Sequence, residues 1–220
     1  MSLVESGWLE KNLNNVKIID CTWHMPQTKR NGFDEYKIQH IPESIFFDLD
    51  LNSKKNTELP HMLVEIDNWK KIVSKMGIKN SDKIIIYDNS DVISSCRCWF
   101  NFIYFGHDPK LVHILNGGLK KWIAENRKTT TELSNIELSN YTCLEKKELV
   151  KTKNLIDQNI KDQKFRVIDA RSKERFEGKV PEPRKGLKSG NIKNSFCIPF
   201  NECLNTNKIF KKKEDLQIIF

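Results

Sequence analysis

The chain has 220 residues, which is long for one domain and short for two complete α/β domains. Hydrophobic residues make up 38% and charged residues 30%, as in an ordinary globular protein with a sizeable core. The net charge of +8 favours anionic ligands in general, but the lysines are spread along the chain without a basic stripe or nucleic-acid-binding motif. No nucleic-acid partner is therefore expected.

The N-terminal sequence MSLVESGWLEKNL lacks the basic start and apolar run of a secretory signal. No stretch approaches eighteen consecutive apolar residues, so no membrane partner is expected. Six scattered cysteines in such a chain indicate reduced thiols and a cytoplasmic location rather than a disulfide framework. Cys96 and Cys98 are one residue short of the CxxC spacing, so no zinc site is predicted, and nothing in the sequence calls for an organic cofactor.

The first 128 residues alternate between short apolar runs, which predict strands, and stretches with helical spacing. Residues 84–87 are four apolar residues in succession, typical of a central parallel strand buried on both faces. This alternation indicates βαβ units, with ligands expected at the carboxyl ends of the strands. Strands are predicted within 16–24, 41–50, 82–88 and 111–118, and helices within 33–40, 64–76, 95–106 and 119–128.

The segment 129–144 is predicted to be a linker, because it begins with a polar run that has no periodicity. A helix is predicted over 145–163. A short strand then delivers Asp169 into a loop that carries three arginines in fourteen residues: Arg171, Arg175 and Arg184. A guanidinium can fork onto a pair of anion oxygens, so this loop is a candidate anion site, with a solvated basic loop as the alternative.

An internal repeat divides the chain. The sequence IID at 18–20 matches VID at 167–169, and HIPESIFFD at 40–48 matches NIKNSFCIP at 191–199, with offsets of 149 and 151. Two copies of one α/β domain are therefore expected, each with a parallel sheet covered by helices on both faces. The second copy stops before its central strand, which predicts part of a longer protein. The predicted divisions are a domain at 1–128, the linker, and the first half of a second domain at 145–220.

Eight motifs in order carry a resemblance to a known family: WL at 8–9, IIDCTW, EYKIQHIPESIFFDLD, LPHML, IIIYD, RCWFNFIYFGH, LNGGLKKW and DARSKERFEGKVPEPRKGLKSG. Over residues 3–220 the chain resembles the two-domain rhodanese family, and within it the 3-mercaptopyruvate sulfurtransferases more than the thiosulfate sulfurtransferases. One departure is SGNIKNS in the second copy, where the family usually has a turn similar to GHIPGA. That difference puts the geometry of this turn in question.

The resemblance implies an enzyme that transfers sulfur through a cysteine persulfide. The donor would be 3-mercaptopyruvate or thiosulfate, and the acceptor cyanide, a low-molecular-weight thiol or a thioredoxin-like protein. Asp88 stands where the first domain would carry the nucleophile, and the equivalent position of the second domain falls after Phe220. The 220 residues alone are therefore expected to be inactive.

The resemblance also implies roles for four residues. Arg175 and Arg184 match the arginines that hold the carboxylate and carbonyl of the donor; a salt bridge between domains and a turn residue are the respective alternatives. Asp50 and His61 match two members of an Asp–His–Ser relay whose serine would lie in the absent loop; for His61 the alternative is a residue that anchors the 51–63 connection.

Three further residues are candidates for lining the site: Trp23, His24 and Arg171, although a structural partner across the domain interface is favoured for Arg171. Cys96 is expected to be a packing residue. The alternative function is a non-catalytic rhodanese-like module that binds anions or a partner. A cysteine after the second domain's central strand would decide between the two.

Overall fold

The computed structural model describes residues 2–183 and 186–220, and the chain forms two compact units that divide between Leu149 and Val150. We call them unit 1 and unit 2. Among the described residues, no helix is both long enough and apolar enough to cross a membrane.

Unit 1 is built on a five-stranded parallel sheet in the order β1-β5-β4-β2-β3. The strands follow the predicted apolar runs except for β1, whose two residues pair with β5 more than a hundred positions later. The strands are β1 (Leu3–Val4), β2 (Lys17–Asp20), β3 (Ser44–Phe46), β4 (Ile84–Tyr87) and β5 (Val112–Leu115). The helices are α1 (Ser6–Glu10), α2 (Gly32–Ile38), α3 (Ile66–Lys75), α4 (Ser95–Tyr104) and α5 (Gly118–Ala124).

The central strand β4 explains why the sheet is covered on both faces. All four of its side chains are fully buried, and successive side chains of a strand point to opposite faces. Ile84 and Ile86 belong to a core that includes Trp69 of α3 and Phe102 of α4. Ile85 and Tyr87 belong to a second core, made with Leu9 of α1 and with Leu119 and Trp122 of α5. The prediction of a doubly buried strand is confirmed.

The segment predicted to be a linker, 129–144, lies within unit 1 rather than between the units. Thr130 and His40 exchange backbone hydrogen bonds of 2.9 and 3.0 Å. Tyr141 is fully buried, and its hydroxyl lies 2.9 Å from Nδ1 of His107, with the two rings stacked. The polar run therefore continues the first domain as an extended strap, which its lack of periodicity could not reveal.

Unit 2 contains two parallel strands and three helices among its described residues. Strand β6 (Val167–Asp169) pairs with β7 (Ser195–Cys197), as the repeat predicts from β2 and β3. The helix expected over 145–163 is shorter, because the hydroxyl of Thr152 caps it by accepting from the backbone N–H of Leu155. The helices are α6 (Lys153–Asp162), α7 (Lys173–Phe176) and α8 (Lys213–Ile219).

Candidate functional site

The candidate relay pair lies beyond the carboxyl end of β3 in unit 1, where a parallel sheet places ligands. Nε2 of His61 is 2.7 Å from Oδ1 of Asp50. Nε1 of Trp23 donates to the other carboxylate oxygen at 2.9 Å, and the Trp23 and His61 rings meet edge to face with centroids 4.8 Å apart. The structure therefore joins three residues that the sequence places at 23, 50 and 61.

The backbone of His61 is in the left-handed region, with φ +56°, which non-glycine residues rarely adopt. The carbonyl of His61 accepts a hydrogen bond from Nη2 of Arg97, in the first turn of α4. This contact with the His61 backbone explains how an unfavourable conformation is held. Arg97 was not among the residues predicted from the sequence; the available signal was a single arginine in a helix rich in aromatic residues.

His24 does not join the Asp50–His61 pair in the structure. Its Nε2 lies 3.1 Å from Glu35, which also accepts from Nε and Nη2 of Arg30 at 2.6 and 2.8 Å and from the Asn89 amide at 3.0 Å. Burial opposes ionisation of Glu35, but the hydrogen bonds from Arg30 and His24 outweigh it and hold the Glu35 pKa below its usual range. His24 therefore acts as part of an ion-pair network that joins α2 to the loop after β4.

Asp88 directly follows the central strand β4, at the position where the family resemblance predicts a nucleophile in a catalytic domain. Its carboxylate is buried and accepts from the backbone N–H groups of Ser90 at 2.9 Å and Ser95 at 2.7 Å. Burial raises the Asp88 pKa, although these hydrogen bonds oppose the shift. The loop 88–95 is thus folded around a carboxylate of its own, which has no sulfur chemistry.

The arginine loop of unit 2 converges on Glu182. Arg171 donates from Nη1 to Glu182 at 2.7 Å, and Arg175 donates from Nη2 to the same carboxylate at 2.5 Å. Arg171 is further held by Asp169, through Nε and Nη2, and by the Gly190 carbonyl at 2.7 Å. These partners of Arg171 all lie inside unit 2. Arg184 lies outside the described residues, so its predicted place in the site stays a prediction.

Two guanidiniums of this loop are paired with two carboxylates. The Glu182 side chain is only 4% exposed, and the Arg175 guanidinium beside it holds the Glu182 pKa below its usual range, with Arg171 contributing. The Arg171 guanidinium does the same to the Asp169 pKa. Arg171 is thereby held by its structural partners. Arg175 donates to Glu182 from Nε and Nη2, and its Nη1 has no hydrogen bond to the described residues. Glu182 was not predicted to take part.

The described cysteines form no disulfide. Burial raises the Cys143 pKa to about 11, and it also raises the pKa values of Cys21, Cys197 and Cys203. These four thiols are therefore protonated near neutral pH and poorly nucleophilic. No group of His, Cys, Asp and Glu side chains in the described ranges could hold a metal ion.

The parallel sheet, the loop after its central strand and the repeat define an α/β domain of the rhodanese type. A model of the rhodanese-like domain matches residues 5–125. The chain belongs to the rhodanese family. The predicted family and the α/β fold class are confirmed by these matches and by the solved structures that resemble the chain.

Relatives extend the match over nearly all of the chain. The "Thiosulfate/3-mercaptopyruvate sulfurtransferase 1, mitochondrial" of Arabidopsis thaliana is 35% identical over 98% of this chain, which spans 62% of that protein. The 3-mercaptopyruvate sulfurtransferase of Rattus norvegicus is 31% identical, with 100% and 76% of the two chains covered. The crystal structure of the 3-mercaptopyruvate sulfurtransferase SseA from Escherichia coli matches with a TM-score of 0.90 at 26% identity, over 100% of this chain and 82% of SseA.

Proposed function

We propose that the chain carries the donor-binding and proton-transfer residues of a sulfurtransferase. The enzyme would move sulfur from 3-mercaptopyruvate, or from thiosulfate, through a cysteine persulfide to a thiol or cyanide. The observation that carries the proposal is the 2.7 Å hydrogen bond between His61 and Asp50 beyond a strand end of the unit 1 sheet. The names of relatives that are 31% and 35% identical support the two donors.

The nucleophilic cysteine is proposed to follow Phe220. Asp88 occupies the corresponding place in unit 1 and has no sulfur, so unit 1 cannot form a persulfide there. The repeat offset suggests a cysteine within about thirty residues after Phe220. We therefore propose that the 220 residues alone do not turn over a donor.

In the proposed reaction the cysteine thiolate attacks the sulfur of 3-mercaptopyruvate, and the carbon–sulfur bond breaks. The leaving group is the enolate of pyruvate, which takes up the proton that the donor thiol loses, so the products are pyruvate and an enzyme persulfide. Asp50 accepts from Nε2 of His61, which leaves Nδ1 as the basic nitrogen that can carry this proton. An acceptor thiolate or cyanide then removes the outer sulfur.

Arg175 and Arg184 are proposed to hold the carboxylate and carbonyl of the donor, which would orient its sulfur toward the nucleophile. The Nη1 group of Arg175, which Glu182 leaves unused, supports this role for Arg175. Arg171 is better suited to positioning, because Asp169, Glu182 and Gly190 already take its donors. Trp23 is proposed to line the site as the residue that also holds Asp50.

Sulfide release by the full-length protein tests the proposal. With 3-mercaptopyruvate and a small thiol, the protein is expected to release sulfide and pyruvate in equal amounts. Strong activity with thiosulfate alone would move the assignment to a thiosulfate sulfurtransferase. If sulfur is transferred from neither donor, the alternative is a non-catalytic module that binds an anion or a partner. For unit 1 taken by itself, the carboxylate of Asp88 favours this alternative.

The acceptor and the location remain predictions. A low-molecular-weight thiol or a thioredoxin-like protein is proposed as the acceptor, since the persulfide needs a nucleophilic thiol to discharge it. A cytoplasmic location was predicted from the cysteines, but the Arabidopsis thaliana relative is named as mitochondrial. Imaging of the tagged full-length protein decides between these two compartments.

A further inference from the structure

Arg97 is a partly buried cation for which the described residues provide no carboxylate partner. Burial alone lowers the Arg97 pKa, with no acidic group acting in the opposite direction. A buried charge is costly unless it is paired. Each of the other partly buried arginines in the described ranges donates to at least one acid; these are Arg30, Arg127, Arg171 and Arg175.

The contacts of Arg97 hold its guanidinium without neutralising it. Nη2 donates to the backbone carbonyl of His61, and Cζ lies 5.8 Å from the centre of the Phe100 ring. Nε is buried and has no hydrogen-bond partner. Within the described residues the hydrogen bond of the Arg97 side chain comes from Nη2, and Nη1 is not among the buried polar atoms without a partner, which is consistent with an Nη1 that solvent can reach. The fixed guanidinium therefore presents an open donor edge.

Among the described residues, no acid offsets the effect of burial on Arg97. The two carboxylate oxygens of Asp50 accept from Nε2 of His61 and Nε1 of Trp23. The Nζ of Lys55 adds a further positive charge by donating to the Asp50 carbonyl at 2.8 Å. A guanidinium edge held in place by a backbone carbonyl is suited to the oxygens of a small, flat or tetrahedral oxyanion.

We propose that Arg97 binds a small oxyanion, either a carboxylate or a sulfur oxyanion, beside the Asp50–His61 pair. The anion would pair with the buried guanidinium through Nη1 while the His61 carbonyl keeps Nη2 in place. The residues that form this site all belong to unit 1. The site goes beyond the proposed function, because it requires neither a persulfide nor the nucleophilic cysteine.

Anion binding can be measured on the 220-residue chain without any turnover. Sulfate and pyruvate are titrated separately at constant ionic strength, with sodium chloride as the balance, because exposed charges are screened by salt. The reporter is the NMR signal of the Trp23 indole N–H, assigned with Trp23→Phe, since that group donates to Asp50 beside His61. Both anions are expected to shift it in a saturable way, and their relative affinities distinguish a sulfur oxyanion from a carboxylate.

Arg97→Gln is expected to weaken binding by about tenfold or more, the effect of losing a hydrogen bond to a charged group. Arg127→Gln is the matched control, because it removes an arginine of unit 1 that already has acidic partners, and it should leave the affinity within about twofold. His61→Ala keeps the carbonyl that holds Arg97 and should retain binding within about threefold.

Backbone amide spectra establish that each variant is folded. If Arg97→Gln does not fold, Arg97→Lys carries the test: a point charge without the fork should bind about three- to tenfold more weakly. The proposal is overturned if neither anion shifts the Trp23 signal, if Arg97→Gln binds as the unchanged chain does, or if Arg97→Lys has the same affinity. It is also overturned if His61→Ala abolishes binding that Arg97→Gln retains. A full-length protein without sulfur transfer would contradict the proposed function and leave this result standing.

Discussion

Arg175 and Glu182 form a bidentate ion pair in the arginine loop, with Nη2 to Oε2 at 2.5 Å and Nε to Oε1 at 3.2 Å. Nη1 of Arg171 donates to Oε1 of the same carboxylate at 2.7 Å. Two guanidiniums are therefore held together by one nearly inaccessible acid. The donor-binding residue proposed from the sequence owes its position to a residue that the sequence did not single out.

Glu182→Ala should destabilise unit 2, because it leaves two neighbouring guanidiniums without their shared counter-ion. We expect a loss of roughly 2 kcal/mol, the scale of a charged hydrogen-bond network broken on one side. Glu177→Ala is the control: its pair with Lys179 is largely exposed and should contribute much less to stability than the Glu182 pairs. Urea denaturation followed by NMR signals of unit 2 measures both. Equal losses in the two variants would contradict the bridging role of Glu182.

We expect Asp20 to make a contribution to the free energy of unfolding that decreases as the pH rises. Burial raises its pKa from 3.8 to about 7, against hydrogen bonds from the hydroxyl and N–H of Thr22. Between those values the folded state binds a proton that the unfolded state has lost, so this contribution is fully present below about pH 4 and is lost by about pH 7.

Asp20→Asn removes this titration and keeps an oxygen for Thr22. The free energy of unfolding at pH 8 minus that at pH 5 should be less negative, or more positive, in the variant than in the unchanged chain. Urea denaturation at the two pH values measures this difference. Identical pH dependence in the two proteins would show that Asp20 is already ionised at pH 5 in the folded state.

The strap 129–144 should be needed for unit 1 to fold. Tyr141 is fully buried against the core and contacts His107, and Ser139 donates to the carbonyl of Ile78 at 2.5 Å. A chain of residues 1–149 is expected to unfold cooperatively, whereas residues 1–128 should bind hydrophobic dyes and unfold without a sharp transition. Tyr141→Ala in the longer chain should cost about 3–5 kcal/mol. Cooperative unfolding of residues 1–128 would instead show that the domain ends at residue 128, as predicted from the sequence.

His61→Ala and Asp50→Asn should slow sulfur transfer by the full-length protein. A positioned general base contributes about 10²–10⁴ in rate, so we expect a decrease of at least about a hundredfold in kcat for His61→Ala with 3-mercaptopyruvate. Asp48→Asn is the matched control in the same connection, since Asn keeps the oxygen that accepts from the Leu51 N–H. A normal kcat in His61→Ala would reduce His61 to an anchor of the 51–63 connection.

Local and repeating features of the fold were predictable from the sequence. The run 84–87 identified the central strand because four apolar residues in succession need burial on both faces. The repeat placed β6 beside β7 by analogy with β2 and β3. Strand β1 was missed, because two residues carry no periodicity and gain a strand partner only through β5, far along the chain.

The candidate site was predictable only in part, because contacts between residues far apart in the chain leave no local pattern in the sequence. Asp50 and His61 were found through a family motif, and they are within eleven positions of each other. Arg97 contacts His61 across thirty-six positions, and no local pattern records that hydrogen bond. Glu182 carries no periodic signal, so its role became visible only when Arg171 and Arg175 were found on its two oxygens.

The most direct test of sulfur transfer is the mass of the full-length protein after brief exposure to 3-mercaptopyruvate without an acceptor. The account predicts a gain of one sulfur atom, mapped by peptide analysis to a cysteine that follows Phe220, and its loss when a thiol is added. The six cysteines of the present chain should remain unmodified. Sulfur found on one of these six, or no gain in mass, would contradict the account.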